Sequence, residues 1–339
     1  MIEAVVIGRV GVDLTPLEPR TSLGEAATFV RAVGGFAGNI GTGLARLGIA
    51  TAVVSAVGDD GNGTFVRTFL AGEGIDVGPV ASRPGSLTQV AFFEVWPPEH
   101  FPTTFYRFAP APETRLTVEE LPADLLERAP LVIVSGTLLA EEPARSTALR
   151  VLADRGRSRH RRPVTHTILD IDWRPTLWPD PDEAPELIGR AARLSDILIG
   201  SDAEFDAAHL RPEVGPTRED QHSGGGVHPR PSLGSPPGPA LIVLKHGGEG
   251  VSLITHEGRR SLPGIPVEVV CGIGAGDALT SAFAAGLLRG LDPLAAVERG
   301  NAAGAIVATR LMCSTAMPTP VEIDRMLARN AATPQEVHP

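Results

Sequence analysis

Val269-Val270-Cys271-Gly272-Ile273-Gly274-Ala275-Gly276-Asp277 runs from an apolar pair through three alternating glycines to an aspartate. The pattern predicts a strand, a tight turn and then a helix over Ala278–Leu288, with apolar residues at 279, 282, 283 and 287 and a stop at Gly290. Glycine lets successive backbone N–H groups point at one spot and lets a ligand approach closely. A helix N-terminus adds unpaired donors and the positive end of its dipole. Together these make an oxyanion or phosphate hole. Asp277 then has two readings: a helix N-cap, or a base held beside a reacting oxygen. A dinucleotide turn does not fit, because Asp277 stands where G-x-G-x-x-G has its last glycine, and no G-x-x-x-x-G-K-[ST] run occurs.

Other turns of this kind lie elsewhere in the chain. Gly34-Gly35-Phe36-Ala37-Gly38-Asn39 precedes a helix over Asn39–Leu47 that Gly48 closes. Asn39 can both donate to and accept from a polyol. Asp13 follows the first strand closely and carries a carboxylate suited to paired hydroxyls. Late in the chain come Lys245-His246-Gly247-Gly248-Glu249-Gly250 after a strand, and Asn301 in a small-residue helix, Gly300–Thr309.

Between these turns, short apolar runs alternate with helix-period segments. Strands are expected at Ala4–Ile7, Ala52–Ala56, Leu131–Ser135, Thr167–Asp170, Ile197–Ile199 and Leu241–Leu244, with helices at Gly63–Gly72, Pro143–Asp154 and Ala184–Leu194. Such alternation predicts an α/β three-layer sandwich around a mainly parallel central sheet. Thr28–Val33, Leu87–Trp96 and Thr103–Phe108 read as antiparallel strands without an intervening helix. They predict a small β-sheet lid, from about 10–33 and 87–108, over the ligand end of the main sheet. Its outer face would expose Phe92, Phe105 and Phe108 in part, which predicts a homodimer contact. One unit spans 1–330. Within it 211–239, rich in Gly, Pro, Ser and His, reads as a flexible insertion, and 331–339 as a fraying tail.

The chain has 339 residues, a formal net charge of −10 and 42% hydrophobic residues. The acidic balance argues against a nucleic-acid partner, despite a basic run at Arg157–Arg162 that reads as a solvated loop. Cys271 and Cys313 are the only cysteines, so there is no disulfide framework and no paired-cysteine metal motif. No apolar run is long enough to span a membrane, and the N-terminal apolar stretch is too short for a signal peptide. These features predict a soluble, cytoplasmic protein.

The glycine-rich Gly34–Gly48 and Gly272–Asp277 regions together resemble the two signatures of the ribokinase-like (PfkB-type) carbohydrate kinases, and the resemblance covers Val5 to Asp324. It implies that Asp277 deprotonates a substrate hydroxyl while the backbone at Gly274, Ala275 and Gly276 cradles the transferring phosphoryl. It further implies that Asp13, Gly35 and Asn39 hold the sugar. For ATP it nominates Lys245, Gly247, Gly250, Gly272 and Asn301. Glu204 would organise Mg2+ within an N-x-x-E-type motif that here reads Ser201-Asp202-Ala203-Glu204, with Ser201 where asparagine is usual. Cys271 likewise stands where Asp or Asn is frequent.

Within that family, Gly8–Asp13, Asp170–Trp178 and Ala316–Thr319 are similar to the branch that acts on 5-dehydro-2-deoxygluconate in inositol catabolism. Phe105-Tyr106-Arg107 is similar to that branch and to 2-keto-3-deoxygluconate kinases. Both substrates are sugar acids, and arginine binds a carboxylate with a two-pronged fork. Arg107 and Arg174, and after them Arg9, are the candidates for reading it. Kinases of neutral sugars or nucleosides on the same fold, and a non-catalytic ligand-binding protein, remain open alternatives. The dipole at the helix end would keep Asp277 ionised at neutral pH and a weak base.

Overall fold

A computed structural model describes residues 1–158, 166–210 and 238–332. The first half runs β1 (Ala4–Ile7), β2 (Gly11–Pro16), β3 (Phe29–Gly34), α1 (Phe36–Arg46), β4 (Thr51–Gly58), α2 (Gly61–Gly72), β5 (Val80–Arg83), β6 (Val90–Phe93) and β7 (Thr103–Tyr106). It continues with α3 (Ala123–Arg128), β8 (Leu131–Ser135), α4 (Ala144–Ser158), β9 (His166–Asp170), α5 (Ala184–Leu194), β10 (Ile197–Ser201) and α6 (Asp202–Ala207). The last part contributes β11 (Leu241–Lys245), β12 (Gly250–Thr255), β13 (Gly258–Pro263), α7 (Ala275–Leu288), α8 (Pro293–Ala308) and α9 (Pro320–Ala332).

Nine strands form one sheet in the order β13-β12-β11-β10-β9-β8-β1-β4-β5. From β11 to β5 every pairing is parallel, and the β12–β13 hairpin adds an antiparallel edge. The parallel strands are buried on both faces, so they read as continuous apolar runs rather than alternating ones. Their residues still divide by parity. Val6, Ile133, Ile168 and Ile199 pack with α1, α2, α7 and α8 on one face. Val5, Ile7, Val132, Val134 and Leu169 pack with α3, α4 and α5 on the other. The expected three layers follow.

The second sheet has the order β3-β2-β6-β7. Its outer pairings are antiparallel as expected, but its central pairing, β2 with β6, is parallel. The reason is topological: β2 and β6 both leave the same end of the main sheet, and β4, α2 and β5 intervene. Phe105 also departs from expectation, since it faces the central cavity. The outer face instead carries an edge-to-face cluster, Phe29–Phe92–Tyr106, with centroids 5.6 and 5.2 Å apart and Tyr106 60% exposed.

Residues 265–270 form no strand. The N–H groups of Val270 and Cys271 both donate to Ala308 O at the end of α8, at 2.8 and 3.1 Å, because β13 already holds the sheet edge. The 211–239 segment (except its last two residues), most of the basic run and most of the 331–339 tail lie outside the described residues. Ala331 and Ala332 close α9. Among the described residues no helix is long and apolar enough to cross a membrane.

Candidate active site

The carboxyl ends of β1, β9, β10 and β11, the inner face of the small sheet and the N-terminus of α7 enclose a cavity of about 750 Å³. In open α/β sheets this is where ligands bind. Every residue predicted from sequence lines the cavity except Arg107. The Arg107 Nη2 donates instead to Glu113 Oε1 at 2.8 Å, and its Nη1 lies 3.7 Å from Glu141. Burial of Glu113 (1% exposed) explains this, since a buried carboxylate holds its nearest cation. The reading of Arg107 as the main carboxylate reader is therefore corrected. Arg174 and Arg9 do reach the cavity.

Asp277 has a different place in its helix from the one expected. The N-cap is Gly274, at φ 87°, and Ala278 N–H donates to Gly274 O at 2.9 Å, so α7 starts at Ala275. Asp277 is therefore its third residue, and the capping reading falls. A side chain at position 274 would be strained by that φ and would meet Cys313 Cβ at 2.9 Å. The first-turn N–H groups at Gly276 and Asp277 have no acceptor within the helix. Gly35 plays the matching part for α1 at φ 81°, and Asn39 N–H closes the first turn on Gly35 O at 2.9 Å.

The two turns meet. Asn39 Nδ2 donates to Asp277 Oδ2 at 2.7 Å, and Asn39 Oδ1 is buried without a partner. Asp13 projects from β2 beside them, its carboxylate lying directly over the bare Cα of Gly34. Behind stands a charged group that sequence reading passed over. Asp170 accepts from Thr280 Oγ1 of α7 at 2.8 Å and pairs with Lys245 Nζ at 3.3 Å. Asp172, at φ 41°, accepts from Arg9 Nη2 and from Ser135 Oγ and lies 3.3 Å from Arg174. The available signal was Asp-x-Asp at the end of a buried strand, where side chains turn into the ligand crevice.

Glu204 closes a capping box. Its Oε2 accepts from Ser201 N–H at 2.7 Å, while Ser201 Oγ accepts from Glu204 N–H at 3.3 Å. Its Oε1 accepts from Trp173 N–H at 3.0 Å, and Arg174 Nη1 stands 3.7 Å away. At the far end Gly247 (φ 58°), Gly250 (φ 118°), Ile265, Val267, Gly304 and Ala305 line the wall. Asn301 also lines it, its Nδ2 donating to Pro263 O at 2.9 Å. Small residues on α8 leave this end flat and largely apolar, suited to an aromatic base. Gly272 lies under the Phe101 ring.

Burial, and next the charge of Asp172, lift the Asp277 carboxyl to about 6, against Asn39, Lys245 and Arg174. The dipole does not keep it low, so it is a stronger base than the sequence led us to expect. Burial also lifts Asp13 to about 6, opposed by Arg9 and a hydrogen bond from Cys313. Burial would lower Lys245, but Asp170, Glu204 and Asp277 raise it, so it stays charged. A carboxyl takes up a proton, and accepts hydrogen bonds with both oxygens, only once ionised, and both of these ionise as pH rises through about 6. We expect kcat/KM to fall as pH drops through about 6, with a logarithmic slope above one because two groups titrate together. A profile flat down to about pH 5, as ordinary carboxylates would give, overturns this.

Known proteins resemble the chain over its whole length. A 5-dehydro-2-deoxygluconokinase of Clostridium tetani is 32% identical over 96% of this chain and 93% of its own. One from Geobacillus kaustophilus is 31% identical over 97% and 94%. The fold matches an ATP-bound sugar kinase from Pyrococcus horikoshii with a TM-score of 0.77, at 21% identity over 96% of this chain and 99% of that one. A putative ribokinase II from E. coli, bound to ATP and Mg2+, matches at 0.77 and 20% identity over 97% and 100%. The pfkB family carbohydrate kinase model covers residues 1–320. The chain therefore belongs to the pfkB family of carbohydrate kinases and is a phosphotransferase acting on a sugar.

Proposed function

We propose that the protein transfers the γ-phosphoryl group of ATP to a hydroxyl of a small sugar acid, 5-dehydro-2-deoxygluconate. The observation that carries this is the Asn39–Asp277 contact of 2.7 Å at the N-terminus of α7, inside a cavity that Arg174 also lines. The relatives' shared name supplies the substrate. Asp13, Gly35 and Asn39 hold the sugar, with Asn39 Oδ1 free to accept a hydroxyl. Asp277 takes the proton as the hydroxyl oxygen bonds to the γ-phosphorus, and ADP leaves with the bond to the β–γ bridging oxygen. The backbone amides from Gly274 to Asp277 face the charge on the transferring group, the kind of preorganised stabilisation phosphoryl transfer depends on.

Lys245, Gly247, Gly250, Gly272 and Asn301 line the ATP end, and Arg174 reads the acid. No cluster of three or more ligating side chains occurs among the described residues. The buried carboxylates of Asp170 and Glu204 fit a magnesium ion that arrives on the ATP phosphates, which is how Mg2+ is usually held. When bound, it neutralises charge on the phosphates. The small sheet acts as a lid, and its Phe29–Phe92–Tyr106 face pairs with a second copy. Light scattering at micromolar concentration should give a dimer mass, and a strict monomer ends that half of the proposal. For the reaction, ADP release is measured over a panel of sugar acids, neutral sugars and nucleosides with ATP and magnesium. Highest kcat/KM on 5-dehydro-2-deoxygluconate is expected. Turnover confined to neutral sugars or nucleosides overturns the substrate, and no turnover at all overturns catalysis.

A further inference from the structure

We propose that Arg9 determines specificity by binding the carboxylate of the acid substrate beside Arg174, with Asp172 as the residue that positions it; this rests on the sugar-acid reading above. Arg9 follows β1, lines the cavity and is only 7% exposed. Its Nη2 donates to both oxygens of Asp172, at 3.1 and 3.2 Å. Its Nε is buried without any acceptor. The Phe105 ring of the small sheet stands 5.8 Å from its guanidinium carbon and shields it from water. An unmet donor on a buried cation is costly, and it persists where a ligand completes it.

Asp172 explains why the guanidinium is held in this place. It sits at φ 41°, a conformation that disfavours side chains other than glycine, asparagine and aspartate, and its carboxylate also binds Ser135 Oγ at 2.8 Å. The same carboxylate lies 3.3 Å from Arg174. These contacts hold both guanidiniums in place at the cavity. A planar, permanently charged donor suits a carboxylate far better than a neutral hydroxyl.

The test uses Arg9→Lys in the full chain, which keeps the charge opposite Asp172 but removes the Nε–H donor and the planar fork. KM and kcat are measured on 5-dehydro-2-deoxygluconate, alongside a neutral ketohexose used as substrate or competitive inhibitor. We expect KM for the acid to rise roughly ten- to a hundred-fold with a much smaller change in kcat, and the acid-over-neutral preference to fall by the same factor. Equal losses on both compounds, or an unchanged KM for the acid, overturn the role of Arg9 while leaving the proposed reaction standing. Wild-type protein that turns over the ketohexose and not the acid overturns the reaction and this role with it. Should the lysine variant fail to fold, Arg9→Gln with Asp172→Asn removes both charges together and carries the same comparison.

Discussion

Asp277→Asn should lower turnover roughly 10²- to 10⁴-fold, the usual worth of a positioned general base, with ATP binding nearly unchanged. The substitution keeps the size of the side chain and an oxygen for Asn39 Nδ2, which now donates to Oδ2 at 2.7 Å. It removes the lone function a carboxylate adds, taking up a proton. Because Gly274 caps α7 and Asp277 is its third residue, the change leaves the cap alone. The amides of the anion hole keep their places, so nucleotide titration should report near-normal affinity. Turnover within about threefold of wild type ends the base assignment, since a group worth two decades cannot be absent unnoticed. Lost turnover together with lost ATP affinity would mean instead that the hole itself had collapsed.

Gly34→Ala should raise KM for the sugar roughly ten- to a hundred-fold, although residue 34 presents no polar side chain to any ligand. A Cβ at this position would lie 2.0 Å from Asp13 Cγ and 2.1 Å from each of its carboxylate oxygens. Gly34 has no left-handed φ, so alanine suits the strand and the β2–β3 pairing survives. What must move is the Asp13 carboxylate, which is short, buried and unable to bend aside at its tip. The expected signature is a raised sugar KM with the ATP KM nearly kept, together with a loss of stability of about 1–3 kcal/mol from the overpacking. Asp13→Asn serves as the reference, because both changes remove the same charged acceptor. A normal sugar KM in Gly34→Ala alongside a large defect in Asp13→Asn would mean that the carboxylate finds its place by another route. Normal values in both would remove Asp13 from the sugar site.

Much of the main sheet was legible because its signals are local. Leu131–Ser135 and Ala184–Leu194 matched their elements to the residue, since a doubly buried strand is an unbroken apolar run and a helix over the sheet shows its period. The β12–β13 hairpin and β5 were not read. β13 and β5 are edge strands with few buried residues, so burial leaves little mark on their sequence, while β12 is buried but is broken up by Gly250 and Ser252. The helix starts at Phe36 and Ala275 were placed three residues late. A glycine at positive φ begins each helix, and the backbone angle of a glycine cannot be read from its name.

The glycine turns, with Asp277 and Asn39 beside them, were chosen from sequence because phosphate recognition by backbone needs glycine at fixed local spacing. Sequence by itself therefore determined the fold class and the family, and it nominated the turn proposed as the phosphoryl hole. Only the tertiary structure could show Asn39 bonded to Asp277 across 238 positions, Arg107 drawn away to Glu113, and Asp170 and Asp172 gathered behind the cavity. Arg9 and Arg107 look alike in sequence, each a cation next to a strand. Which one faces the cavity depends on which carboxylate each meets once buried, and that is decided by contacts between residues far apart in the chain.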